Sequence, residues 1–138
     1  DYASKSAKFA TPGVNIGLFC STPMVALSRN LSNKHSMEML LTGDLISSEK
    51  AYRIGLVNEV LDSGKLKDFV ENQALKISKK SSMTLKIGKE AFYKQINMNL
   101  PDAYDYASEI MVENMLKIDA EEGINAFIEK RQPNWQDR

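Results

Sequence analysis

The chain has 138 residues with 18 basic and 18 acidic side chains, a balance that gives no electrostatic basis for binding nucleic acid or an anionic membrane. One cysteine, Cys20, excludes an internal disulfide and a cysteine-based zinc site, and the lone His35 has no second histidine or cysteine near it. No apolar run approaches the ~20 residues of a membrane span, and the length indicates one domain.

The first sixty residues alternate short apolar runs with glycine, proline and serine. Tyr2 and Ala3 are predicted to end a strand, and residues 9–19 are predicted to be extended, although Gly13 and Gly17 interrupt a regular ladder. Capping serines and terminating glycines then mark three short helices and a final strand-like run. Their predicted ranges are 22–31, 34–42, 47–55 and 57–61.

From residue 62 onward the apolar spacing becomes that of amphipathic helices. The predicted helices cover residues 62–80, 83–97, 101–118 and 120–131. The third of these carries two apolar faces, which indicates that more than one partner covers it.

The last helix is predicted to begin with a capping pair formed by Asp119 and Glu122. Its apolar residues are predicted to face inward: Ile124, Phe127 and Ile128. The tail after Pro133 is expected to fold back through Asn134 and Trp135.

Two short β segments about forty residues apart cannot satisfy their own edges, so this chain is expected to need more polypeptide around it. It also begins at Asp1 without an initiator methionine, in what reads as the middle of a fold. We therefore expect either a processed chain or a fragment.

Three stretches resemble one known family. They are Phe9–Pro23, the long run Met39–Val60 with its Leu-Thr-Gly-Asp-Leu-Ile-Ser core, and Phe127–Arg131. Together they make the chain similar to the enoyl-CoA hydratase/isomerase (crotonase) family over nearly its whole length. The resemblance favours a fragment, because such proteins carry most of their sheet upstream of the matching stretches.

The resemblance implies an α+β, mostly helical fold: the C-terminal portion of a crotonase-like (ClpP/crotonase) fold with two short β segments and about seven helices. Residues 1–61 would end the crotonase core and form a wall of the acyl-CoA pocket. Residues 62–138 would form a C-terminal helical oligomerisation region.

Crotonases hold the thioester carbonyl oxygen with two backbone N–H groups, and in the family both donors and the first catalytic glutamate lie upstream of the stretch matched here. The second glutamate follows the proline of the motif that reads Ala-Thr-Pro-Gly-Val, so its position is Gly13. Glycine cannot transfer a proton, and efficient 2-enoyl-CoA hydration is therefore not expected. Glu38, Glu49 and Glu59 are interpreted as surface charges.

The resemblance also implies a set of substrate-binding positions without any catalytic residue: Pro12, Gly13, Phe19, Cys20, Ser21, Met111 and Lys130. Cys20 is either a nucleophile or, more simply, a buried space-filler, since no histidine stands in the motif to activate it. Lys130 either reaches a CoA phosphate or adenine or is a solvated helix-end lysine. Met111 either contacts CoA or belongs to the helix core.

The expected ligand is an acyl-CoA thioester, with no metal and no redox cofactor. The chain is expected to assemble as a homotrimer or hexamer and to pack against the N-terminal half of the same fold. The expected location is the cytoplasm of a bacterium or, in a eukaryote, the mitochondrial matrix. Thioester hydrolysis, decarboxylation, and isomerisation with a carboxylate from elsewhere remain open. So does a catalytically inactive acyl-CoA-binding or assembly protein. A helical interaction domain unrelated to CoA is the remote alternative.

Overall fold

The structure, a computed structural model, describes all 138 residues and is mostly helical. The strands are β1 Tyr2–Ser4, β2 Lys8–Phe9, β3 Ile46–Ser47 and β4 Glu59–Leu61. The helices are a 3₁₀ helix Pro12–Ile16, α1 Ser21–Asn30, α2 Asn33–Thr42, α3 Ser48–Arg53, α4 Ser63–Ser78, α5 Ser82–Gln95, α6 Leu100–Met115 and α7 Ile118–Glu129. The predicted fold class is confirmed, with four short strands in place of two β segments.

Two compact units make up the chain, an N-terminal unit Asp1–Asn72 and a C-terminal unit Gln73–Arg138. In the N-terminal unit β1 pairs in parallel with β4, and β2 pairs antiparallel with β3. Strands β2 and β3 are two residues each, so a local pattern could not reveal them. The boundary predicted after residue 61 is of another kind, since it separates the pocket wall from the oligomerisation region. That division of roles stays a prediction.

The N-terminal unit has one apolar core built by β1, β3 and the helices α1 to α3. Its buried members are Ala3, Leu27, Leu31, Met39, Leu40, Ile46, Ala51 and Val57. The helix ends that surround this core follow the predicted capping signals. Gly43 ends α2 in the left-handed conformation at φ 63°, and the Ser47 hydroxyl accepts the Lys50 N–H at 3.2 Å to begin α3.

The extended conformation predicted for residues 9–19 is wrong beyond Phe9. Residues Pro12–Ile16 form the 3₁₀ helix instead. Proline at the first position fixes φ near its helical value and lacks only an N–H that the first turn leaves unpaired. Gly17, at φ 79°, then ends the turn with its N–H 3.3 Å from the Val14 carbonyl oxygen. Gly17 therefore closes a helical turn, and Gly13 lies within it, where the sequence predicted an extended segment.

The C-terminal unit consists mainly of α5, α6 and α7, and its apolar side chains are largely exposed. Ala126 is the only apolar residue of this unit that is buried. The residues of α7 predicted to face inward are exposed: Ile124 at 47%, Phe127 at 84% and Ile128 at 69%. An apolar stripe on a helix becomes buried only where another surface packs against it. In the structure of this chain no other segment covers these three residues. None of the helices has both the length and the hydrophobicity needed to cross a bilayer.

The tail after α7 folds back as predicted, but the capping pair does not form. Helix α7 begins at Ile118 without a side-chain cap. The carboxylate of Asp119 instead accepts the backbone N–H groups of Gln136 at 2.7 Å and Asp137 at 3.0 Å. Trp135 donates its indole N–H to the Lys79 carbonyl oxygen at 2.8 Å. The acidic residue that would cap α7 therefore binds the tail.

Candidate functional site

The loop that contains Gly13 is fastened to α2 at two points. The Thr11 hydroxyl, which is buried, donates to the Met39 carbonyl oxygen at 2.8 Å. The side-chain amide of Asn15 donates to the Gly43 carbonyl oxygen at 3.5 Å. Because both anchors end on the backbone of α2, the 3₁₀ helix between them has little freedom to move away from the core.

Gly13 lies in a space that has no room for a side chain. Its carbonyl oxygen accepts the Leu18 N–H at 2.9 Å, and its own N–H donates to the Cys20 sulfur at 3.3 Å. A Cβ atom built on Gly13 would lie 2.6 Å from the Leu18 carbonyl oxygen and 2.8 Å from Cys20 Sγ. Any residue other than glycine must therefore displace the main chain of the loop.

The other three predicted loop positions lie together at the start of α1. Phe19 is 42% exposed, and its carbonyl oxygen accepts the Ser21 N–H at 2.7 Å and the Ser21 hydroxyl at 3.3 Å. Cys20 is half-buried and packs against the core of the N-terminal unit. With its sulfur in contact with Gly13, Cys20 has the environment of the space-filling alternative.

Two of the three nearby carboxylates, Glu38 and Glu49, already accept hydrogen bonds from neighbouring groups. Glu38 binds the Lys50 ammonium at 2.7 Å and lies 3.7 Å from His35, and these contacts, the Lys50 hydrogen bond first, lower the pKa of Glu38. The pKa of Glu49 is also lowered, mainly by its own backbone N–H and by Ser47. A proton donor working near neutral pH needs a raised pKa, so both shifts run against that role. Glu59 lies half-buried on β4.

The two remaining predicted positions, Met111 and Lys130, lie in the C-terminal unit. Met111 is 61% exposed on α6, so the helix-core alternative does not describe it in this chain. Lys130 follows the last residue of α7 and adopts a left-handed backbone conformation, φ 55° and ψ 37°. The structure thus brings five of the seven predicted positions together between residues 12 and 21, and it places Met111 on α6 and Lys130 just beyond the end of α7.

A cavity in the C-terminal unit was not predicted. It has a volume of about 570 Å³ between α5, α7 and the tail, with Leu85, Phe127 and Trp135 among its walls. The Oδ1 atom of Asn114, which also lines it, is buried and has no hydrogen-bond partner. Asn114 falls among the apolar residues of the predicted helix 101–118, and a polar side chain at such a position is the one sequence signal that could have revealed this cavity.

Comparison with known proteins agrees with the predicted family. The sequence model of the enoyl-CoA hydratase/isomerase family matches residues 1–138. Over 133 residues, the chain is 48% identical to enoyl-CoA hydratase domain-containing protein 3, mitochondrial, of Xenopus laevis, and 45% identical to its human counterpart. These alignments cover 96% of this chain and 45% and 44% of the two relatives, so the chain spans a little under half of their length.

Solved structures give the same answer at the level of the fold. An enoyl-CoA hydratase of Mycobacterium smegmatis superposes with a TM-score of 0.93 at 45% identity, covering 97% of this chain and 52% of that one. The human enoyl-CoA hydratase domain-containing protein 3 also gives 0.93 at 45% identity, with coverage of 97% and 53%. With the match spanning every residue of the chain, this sequence belongs to the enoyl-CoA hydratase/isomerase family.

Proposed function

We propose that the protein carrying this chain binds acyl-CoA thioesters and hydrates 2-enoyl-CoA substrates poorly. The observation that carries this proposal is the closed environment of Gly13, where a Cβ atom would lie 2.6 Å from a main-chain oxygen. Family membership supports the acyl-CoA ligand. The lack of room at residue 13 supports the loss of efficient hydration.

The chemical argument concerns the proton that hydration must move. Adding water across a conjugated double bond needs one group to activate the water and another to protonate the α-carbon. Glycine at the family's second glutamate position supplies neither, and the lowered pKa values of Glu38 and Glu49 do not suit them as replacements. Losing a well-placed general acid or base costs on the order of 10²–10⁴ in rate.

The proposed acyl-CoA contacts are the seven substrate-binding positions identified from the sequence. In the N-terminal unit the proposed pocket wall is the loop with Pro12, Gly13, Phe19, Cys20 and Ser21. In the C-terminal unit, Met111 would contact the CoA moiety and Lys130 would bind one of its phosphates. No metal or redox cofactor takes part in this proposal, since the thioester itself provides the activated carbonyl.

The assembly proposed with this function is a homotrimer or a hexamer built through residues 62–138. The exposed apolar side chains of α6 and α7 support it, because large exposed apolar areas mark interaction surfaces. The eukaryotic relatives are named as mitochondrial proteins. We propose the mitochondrial matrix for a eukaryotic source and the cytoplasm for a bacterial one.

Two measurements on the full-length gene product test the proposal. Calorimetric titration with butyryl-CoA, a saturated ligand, should show saturable binding. Consumption of crotonyl-CoA, followed by loss of the enoyl-thioester absorbance, should be on the order of 10²–10⁴ slower than for a family hydratase assayed beside it. Crotonyl-CoA turnover equal to that of the hydratase contradicts the interpretation of Gly13. Absence of butyryl-CoA binding contradicts the proposed ligand.

The variant Gly13→Glu serves as the internal comparison. Because its Cβ atom collides with Leu18, we expect the new carboxylate not to restore hydration. Restored turnover would mean that the loop opens at little cost and that the rest of the site is competent.

A second candidate is a catalytically inactive protein that only binds acyl-CoA or supports an assembly. The same glycine favours it. Incubation with butyryl-CoA separates this candidate from a thioester hydrolase, in which water cleaves the C–S bond to release butyrate and the free thiol of CoA. Release of that thiol above the uncatalysed rate, detected with a thiol reagent, contradicts the inactive alternative.

A further inference from the structure

Lys130 occupies a backbone position that glycine normally fills. Its N–H bonds to the Phe127 carbonyl oxygen at 3.3 Å, and the next N–H, of Arg131, bonds to the Ala126 carbonyl oxygen at 3.0 Å. These two bonds define a Schellman ending, in which the residue at Lys130 must be left-handed. A side chain with a Cβ atom is sterically disfavoured there, and glycine is the usual choice.

Contacts on both sides of Lys130 enforce this conformation. Two nitrogen atoms of the Arg131 guanidinium bind the two oxygens of Glu122 at 2.6 and 2.8 Å, and its Nε binds Glu129 at 2.5 Å. Glu122 also accepts the Asn134 N–H at 2.6 Å. The residues before and after Lys130, Glu129 and Arg131, are therefore held by the contacts of one guanidinium with two carboxylates.

The side chain of Lys130 is left free by these contacts. Lys130 is exposed and forms no ion pair, and Phe127 and Ile128 before it are also exposed. Arg131, by contrast, has its guanidinium occupied by two carboxylates and the Gln132 carbonyl oxygen. Of the two neighbouring cations, Lys130 is the one available to an external anion.

We propose that the Glu122–Arg131 pair is a positioning clasp: it holds Lys130 in its left-handed conformation and so directs the ammonium to a phosphate group of acyl-CoA. This inference rests on the proposed acyl-CoA ligand. The helix ending needs a left-handed residue but not a lysine, since glycine would serve the fold at lower cost; a lysine side chain at this position therefore points to something that the side chain binds. A bidentate arginine–carboxylate pair is suited to positioning a neighbouring residue, because its two parallel hydrogen bonds fix the orientation of the arginine.

The test uses the full-length gene product and two thioesters, butyryl-CoA and butyryl-pantetheine, which lacks all CoA phosphates. For Lys130→Gly we expect butyryl-CoA to bind about tenfold more weakly, the scale of one charge-assisted contact. Binding of butyryl-pantetheine should not change. The variant should resist unfolding by urea at least as well as the wild-type protein, because glycine suits the left-handed position.

The clasp is tested by Arg131→Gln and, from the other side, by Glu122→Gln. Each should weaken butyryl-CoA binding and leave butyryl-pantetheine binding unchanged. In the Lys130→Gly background neither substitution should weaken butyryl-CoA binding further, because the effects of substitutions in residues that act as one unit are not additive. Lys67→Gln, which removes an exposed lysine of α4 that pairs with Glu71, is the matched control and should leave both affinities unchanged.

Each remaining outcome separates the clasp from the ligand proposal. If Arg131→Gln weakens both thioesters, or adds fully to Lys130→Gly, then the arginine acts on general stability and the positioning role is wrong. If Lys130→Gly leaves butyryl-CoA affinity intact, this inference is wrong and acyl-CoA binding stands. If the wild-type protein binds neither thioester, the proposed function fails and this inference fails with it.

Discussion

At the scale of single residues, Gly13 and Cys20 depend on each other. The sulfur of Cys20 fills the volume toward which a side chain at residue 13 would point, and it accepts the Gly13 N–H. The sequence predicted both residues as members of the pocket wall, with glycine at the family's glutamate position, and these assignments stay predictions. It could not predict the lack of space, which depends on how the Leu18 carbonyl turns back over the 3₁₀ helix.

Replacement of Gly13 by alanine should destabilise the chain. The added Cβ atom lies 2.6 Å from a main-chain oxygen, and overpacking of this kind typically costs about 1–3 kcal/mol in the free energy of unfolding. Urea unfolding followed by circular dichroism measures the difference. Gly64→Ala is the control, because a Cβ atom on Gly64 meets nothing within 4 Å, and its effect should stay within about 0.5 kcal/mol. Equal stability of the two variants would show that the loop moves aside for the added Cβ atom at no measurable cost.

At the scale of secondary-structure elements, the seven α-helices were predicted to within about three residues, and strands β1 and β4 were also predicted. The two-residue strands β2 and β3 and the 3₁₀ helix were not. Helix ends carry local signals, such as the Ser47 hydroxyl that begins α3 and the left-handed Gly43 that ends α2. The pairing of Phe9 with Ile46 joins residues far apart in sequence, and no local pattern encodes it. Asp119 was assigned to a cap for a similar reason, because its partners in the tail are remote.

The tail of the C-terminal unit is held by three carboxylates whose pKa values are all lowered. Hydrogen bonding to the Ser81 hydroxyl and then to the tail N–H groups lowers the pKa of Asp119, and bonds from Ser82 and Met83 lower that of Asp137. Arg131 first, and then the Asn134 N–H, lower the pKa of Glu122 from 4.5 to about 2. These contacts fix the tail to the N-terminal ends of α5 and α7.

Acid should therefore release the tail. A carboxylate whose pKa is lower in the folded state stabilises the fold above its unfolded pKa and loses that contribution as the pH falls through the folded value. For Glu122 the window runs from about 4.5 down to about 2. Trp135 fluorescence should report the change across this window. Glu122→Gln should remove the Glu122 part of the pH dependence, and an unchanged acid profile in that variant would contradict the assignment.

At the scale of the whole molecule, the two units differ in how they bury apolar surface. The N-terminal unit encloses a core around Leu40, which is 1% exposed, whereas the C-terminal unit buries only Ala126 among its apolar residues. The amphipathic spacing correctly predicted that α6 and α7 each carry an apolar face. It could not predict what covers them, because the spacing of apolar residues along a helix carries no information about the surface that packs against it.

Disruption of the apolar face of α7 should change the state of assembly before it changes folding. Phe127 is 84% exposed, so Phe127→Asp should leave the unfolding midpoint of the isolated chain nearly unchanged. In the full-length gene product it should convert the proposed trimer to smaller species, measured by sedimentation velocity. Tyr52→Asp changes another exposed aromatic residue, on α3 and 53% exposed, and should leave the assembly intact. An unaltered sedimentation profile for Phe127→Asp would exclude α7 from the interface.

The closed turn around Gly13 limits which substitutions could make room for a side chain at this position. The obstacle to a larger residue includes the main-chain oxygen of Leu18, and an atom of the backbone cannot be removed by exchanging a side chain elsewhere. Trimming the side chain of Cys20 would remove the contact with Sγ and leave the contact with the Leu18 oxygen in place. A second-site substitution that accommodates a larger residue 13 is therefore expected to act by changing the path of the main chain between residues 13 and 18.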